Sequence, residues 1–98
     1  MDKNIVAEDV ARLLKNIANP IRLLILCNLL EGTKNVSELL ENIDISQSAL
    51  SQHLILLKEN NIIKDNKIGK FIYYHIIDKK TQEILGFLNK ICCESNIK

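Results

Sequence analysis

Between Ser46 and Leu57 the chain carries no Asp, Glu, Lys or Arg, yet Leu50, Leu54 and Leu57 recur there at the spacing of one helix face. Residues 46–58 therefore read as a helix anchored to a core by leucines. Ser46 is placed to cap its start, and Gln47, Ser48, Ser51 and Gln52 are left to point outward. Ordinary surface helices fill such positions with Glu and Lys. Short amides and hydroxyls suit a different task, reading base edges in a DNA major groove. A Gln amide can pair with both polar edge atoms of adenine, a Ser hydroxyl can reach bases or phosphates, and a methyl such as that of Ala49 can touch thymine.

The flanks fit that task. Residues 36–42 form a short helix with apolar Val36, Leu39 and Leu40, and Asn42-Ile43-Asp44-Ile45-Ser46 makes a tight turn into the next helix. This is helix-turn-helix spacing. Downstream, Asn60-Asn61 closes the second helix, and residues 62–65 and 71–77 read as two strands rich in β-branched and aromatic side chains. The hairpin tip between them, Asn66-Lys67-Ile68-Gly69-Lys70, supplies a glycine and two lysines suited to phosphates. A helix-turn-helix followed by a basic hairpin is a winged helix. The candidate DNA-binding residues are Gln47, Ser48, Ser51, Gln52, His53, Lys58, Lys67 and Lys70, with Lys64 nearby.

Two further helices precede this module and one follows it. Residues 5–17 place Val6, Val10, Leu13, Leu14 and Ile17 along one stripe. Asn19-Pro20 starts a second helix over 21–30, apolar nearly all round, which belongs at the centre of the fold; Glu31-Gly32 ends it. Asp78 opens a last helix running through Cys92-Cys93, with Ile84, Leu85, Leu88, Ile91 and Cys92 on one stripe. The expected architecture is mainly α with a small β-hairpin, in the order α-α-α-α-β-β-α, as one winged-helix domain over residues 1–98. The first and last helices are natural dimerisation elements, with Leu13, Leu14, Leu85 and Leu88 expected to lose exposure on pairing. A hydrophobic fraction of 47% in 98 residues agrees with a covered second face.

Net charge is only +1, so DNA binding must rest on local clusters of lysine rather than on overall charge. No apolar run approaches a membrane span and the Met-Asp-Lys-Asn start lacks a signal-peptide core, so the expected compartment is the cytoplasm, with no membrane partner. No paired carboxylates, Ser/His/Asp set or Gly-rich phosphate loop supports an enzyme, and no Cys-x-x-Cys supports a catalytic dithiol.

The segments Ala18-Asn19-Pro20-Ile21-Arg22-Leu23 and Leu24-Ile25-Leu26-Cys27, with Ser-Gln-Ser-Ala-Leu-Ser-Gln-His-Leu at 46–54, resemble the ArsR/SmtB repressors over roughly Val10 to Cys93. The resemblance implies a homodimer that binds double-stranded operator DNA and leaves it when an inducer acts. It also implies that Arg22 supports the helix-turn-helix rather than reading bases. The metal-sensing branch has Cys-Val-Cys where this chain has Asn35-Val36-Ser37, and no His follows Asp78. No metal site and no cofactor are therefore expected, because zinc needs several N or S ligands at compatible positions.

The cysteines resemble the sulfur-responsive dithiol branch typified by BigR, SqrR and HlyU, which keeps one Cys in Leu-Ile-Leu-Cys and one closing the last helix. That likeness implies Cys27 and Cys93 as sensor thiols, with Cys92 as the substitute, although helical periodicity puts Cys92 on the apolar stripe. The implied inducer is a sulfane-sulfur donor (persulfide or polysulfide) that cross-links the two thiols. Alternatives are arsenite or general oxidants acting on the same cysteines, or a winged-helix regulator whose thiols are idle.

Overall fold

The computed structural model describes residues 3–91. Helix α1 (Lys3–Ile17) is followed by α2 (Pro20–Leu30), β1 (Lys34–Asn35), α3 (Val36–Asn42), α4 (Gln47–Glu59), β2 (Ile63–Ile68), β3 (Phe71–Ile76) and α5 (Lys79–Asn89). Local chemistry sets most of these boundaries. The Asn19 side chain accepts from the Ile21 and Arg22 amides at 3.0 and 3.1 Å, and Pro20 occupies the first turn, where its missing N–H is not needed. The chain bends there by 98° between the residues of α1 and those of α2. Asp78 starts α5 by accepting from the Thr81 amide at 2.8 Å and the Thr81 hydroxyl at 2.6 Å. Asn61, at φ 58°, takes the left-handed conformation that ends α4.

Helix α2 lies at the centre: Ile25 and Leu26 are fully buried, with Cys27 and Leu29 almost so. Around it close Leu39 of α3, Leu50, Leu54 and Leu57 of α4, Ile63 and Ile76 of the sheet and Leu85 of α5. Each such leucine, removed from water, contributes about 1.5–3 kcal/mol before entropy is counted.

The winged helix-turn-helix stands as the sequence implies, with three corrections. The first helix begins at Lys3 rather than Ile5. The hairpin is part of a three-stranded antiparallel sheet in the order β1-β3-β2, with Lys34 opposite Tyr74 and Asn35 opposite Tyr73. β1 is two polar residues with no strand propensity, so only its position beside β3 makes it a strand. The expected tip residues Asn66, Lys67 and Ile68 belong to β2, and the turn is only Gly69-Lys70. Regular helix in α5 ends at Asn89, and Cys92 and Cys93 lie outside the described residues.

Leu13 and Leu85, expected at a dimer face, are core residues at 7% and 0% exposure. Leu88 packs half-buried against the same core, and Leu14 is exposed. Over residues 79–91 the large apolar side chains left outside are Phe87 on α5, at 80% exposure, and Ile91 just beyond its end, at 63%. Among the described residues no helix is long and apolar enough to cross a membrane.

Candidate nucleic-acid interface

Helix α3 is fixed at its start by a reciprocal cap: the Asn35 side chain accepts from the Glu38 amide and Glu38 accepts from the Asn35 amide, both at 2.9 Å. The Asn-x-x-Glu pattern carries that signal in the sequence, although reading the segment for its apolar spacing passes over it. Ile43 then drops into the core, and the Ser46 hydroxyl accepts from the Ala49 amide at 3.1 Å to start α4. With Leu50, Leu54 and Leu57 buried, the opposite face of α4 is turned outward. Gln47, Ser48 and Gln52 are exposed there, while Ser51 is half-buried. Ile55 shares that outer face at 53% exposure, an apolar residue among polar ones.

His53 sits at the joint rather than in the open. The Arg22 guanidinium lies 3.4 Å from its Nδ1 and also donates to the Asn16 carbonyl, so Arg22 ties the end of α1 to α4. A guanidinium only donates, so this contact is a hydrogen bond when Nδ1 is unprotonated and the neutral ring carries its proton on Nε2. Burial, and after it the positive charge of Arg22, hold His53 below the usual histidine range.

Lys58 is paired with Asp65 of β2 at 2.9 Å. The pair joins the end of α4 to the wing, and the hydrogen bond that Lys58 donates to Asp65 foremost raises the lysine above its ordinary range. In the structure Lys58 thus joins two elements across the interface, whereas Lys64, Lys67 and Lys70 stand exposed on the hairpin. Gly69, at φ 65°, occupies the first position of the two-residue turn, and its successor keeps a negative φ, which is type II′ geometry.

A model of the bacterial regulatory protein arsR family matches residues 19–65, from the cap of α2 to the first half of the wing. The chain is 38% identical over 87 residues to the biofilm growth-associated repressor of Xylella fastidiosa, covering 89% of this chain and 76% of that one. It is 35% identical over 96 residues to the transcriptional activator HlyU of Vibrio cholerae, covering 98% and 87%. The crystal structure of the repressor BigR from Xylella fastidiosa superimposes with a TM-score of 0.85 at 36% identity, covering 94% of this chain and 91% of that one. Reduced HlyU from Vibrio cholerae gives 0.87 at 32%, covering 92% and 95%.

The chain belongs to the ArsR family.

As an ArsR-family regulator it is similar to a repressor and to an activator on one fold, so the fold alone does not set the sign of regulation. Of the expected sensor thiols, Cys27 is buried on α2 at 4% exposure, and α2 packs directly against α5. Its proposed partners Cys92 and Cys93 follow the last described residue, Ile91. His75 lies half-buried on β3 opposite Lys64, away from His53 on α4. Among the described residues no three His, Cys, Asp or Glu side chains converge to hold a metal ion.

Proposed function

We propose that this ArsR-family regulator is a homodimeric repressor that binds operator DNA through α4 and the wing and is released by sulfane sulfur. It acts in the cytoplasm, needs no cofactor and performs no catalysis. The observation that carries the DNA reading is the uncharged outer face of α4, where Gln47, Ser48 and Gln52 are exposed on a helix locked to the core from behind. A two-fold axis would set two such helices about one turn of DNA apart. The names of the relatives support repression through BigR, and HlyU adds a relative known in a reduced form.

The switch is a cross-link between Cys27 and Cys93, with Cys92 as the substitute. One thiolate attacks an interior sulfur of a polysulfide and expels a thiolate. The second thiolate attacks the sulfur chain now on the first and expels another. The two cysteines are oxidised to a bridge, the donor is reduced, and retained sulfur lengthens the bridge beyond a simple disulfide. A direct disulfide requires Cα atoms within about 7 Å, a limit that inserted sulfur relaxes. The contact of α2 with α5 supports a route by which such a bridge shifts the reading helices.

The test is operator release by polysulfide, peroxide and arsenite, followed by intact-mass measurement and peptide mapping. Polysulfide should add sulfur between Cys27 and Cys93 and weaken DNA binding, and a reductant should restore it. Cys27→Ser should bind DNA normally and ignore the inducer. Full induction of Cys27→Ser, or a bridge confined to Cys92 and Cys93, would remove the mechanism and leave the DNA reading standing.

A further inference from the structure

We propose that the wing ends in an apolar wedge, Ile68 and Phe71, that enters the minor groove of duplex DNA beside the segment read by α4 and opens a base step there. The proposal rests on the DNA-binding reading above. Ile68 and Phe71 face each other across the Gly69-Lys70 turn, so their side chains leave the same face of the hairpin. They are 57% and 45% exposed, at the end of the sheet remote from the buried Ile63–Ile76 pair. The Phe71 ring is held in place: the Tyr73 ring meets it edge-on at 6.5 Å between centroids, and Lys70 Nζ stands 6.0 Å from its centre. A hairpin tip is normally polar. This one presents a fixed aromatic ring and a β-branched aliphatic side chain to its surroundings.

Charge selects the partner. Lys67 and Lys70 stand exposed beside the wedge, Lys64 is exposed farther along the same hairpin, and the acid on the same strands, Asp65, is already paired with Lys58. A surface that is apolar at its point and cationic around it fits the minor groove, whose walls are phosphates and whose floor is base edges and sugars. The groove is narrow, about 6 Å, and Gly69 leaves the extreme tip without a side chain. Proteins that press apolar side chains between base steps kink the duplex by about 20–90°. The kink is easiest at pyrimidine–purine steps, so the wedge would confer a preference at a position the wing never hydrogen-bonds.

Duplexes enriched from a random-sequence library by the full chain provide the probe, with fluorophores at their ends to report bending. The wild-type chain should bend the enriched duplex and favour a TA or CA step under the wing over a GC step. Ile68→Ser/Phe71→Ser should bind roughly tenfold more weakly, within the span of a single base-step preference, without bending and with an unchanged salt dependence. Ile68→Ser alone, which leaves the aromatic contact intact, should show part of the same loss. Lys67→Ala should flatten the salt dependence and keep the bend. An unbent complex, or a double variant that binds and bends as the wild type does, overturns the wedge while the DNA reading stands. Anionic phospholipid vesicles that bind the wild type but not the double variant would reassign the tip to a membrane surface. Failure to enrich any duplex removes the DNA reading and the wedge together.

Discussion

Ser48 and Gln52 stand one turn apart and exposed on the outer face of α4, and the Ser48 hydroxyl lies 3.3 Å from the hydroxyl of the cap residue Ser46. Replacing Gln47 or Gln52 by Ala should leave the melting temperature almost unchanged, and Ser48→Ala should lower it only by the loss of that one contact. On the specific duplex each replacement should cost about 1–3 kcal/mol where the side chain hydrogen-bonds well to a base, read by titration against a scrambled competitor. His53 makes a different prediction. Its folded-state pKa lies below the ordinary 6.5, so as the pH falls the unfolded chain takes up the proton before the folded one does. The contribution is absent where both forms are neutral and becomes a loss of stability as the pH drops below the unfolded value. Between about pH 7 and pH 5 the wild type should thus lose more stability than His53→Gln, measured by urea unfolding. An equal slope in both would show that Arg22 and burial do not act on this ring. A supporting role for Arg22 was implied only by the family resemblance. Its two partners, a backbone carbonyl and a ring on another helix, were not legible in the sequence.

The wing shows how far local signals reach. Alternation of β-branched and aromatic residues marks the two strands, and Gly69 marks the turn, but Asn66, Lys67 and Ile68 before it read as loop when they are strand. Pairing with β3 decides this, because Asn66, Lys67 and Ile68 each face a residue of a strong strand former. Gly69→Ala puts a Cβ on a residue at positive φ. That should destabilise the turn by about 1–2 kcal/mol although the surrounding space is open. Thermal unfolding of the variant checks it. Lys67→Ala and Lys70→Ala should weaken binding to all duplexes alike and lower the salt slope. If they reduced only specific binding, the division between a reading helix and a phosphate-binding wing would be wrong.

At the scale of the molecule, the proposed homodimer raises the question of which apolar surface a second copy would cover. Phe87 on the outer face of α5 and Ile91 just beyond its end are exposed beside Gly86, while Leu85 is buried in the core. Phe87→Glu should consequently yield a folded monomer with native helix content, seen by sedimentation and circular dichroism. Leu85→Glu should instead yield an unfolded chain, since it buries an unpaired charge among leucines and isoleucines. A folded dimer of Phe87→Glu would place the interface elsewhere. The cross-linked form should also melt higher than the reduced form while binding DNA less well, because closing so long a loop restrains the unfolded chain by up to roughly 4 kcal/mol.

Periodicity and capping chemistry determined the order of the helices, their starts at Asn19, Ser46 and Asp78, and the face of α4 that turns outward. These are local properties: a helix needs its own apolar spacing and its own capping oxygen, and both lie within a few residues. The tertiary structure decided what local rules cannot see. It made a strand of Lys34-Asn35 because β3 offered an open edge, and it tied Lys58 to Asp65 because the end of α4 meets the wing. It also sorted the leucines of α1 and α5 into core and surface. An amphipathic stripe states that one face is apolar, but a stripe wider than the groove beneath it has an edge, and only the packing partner shows where that edge falls. Leu13 and Leu85 lie inside that edge, and Leu14 and Phe87 lie outside it.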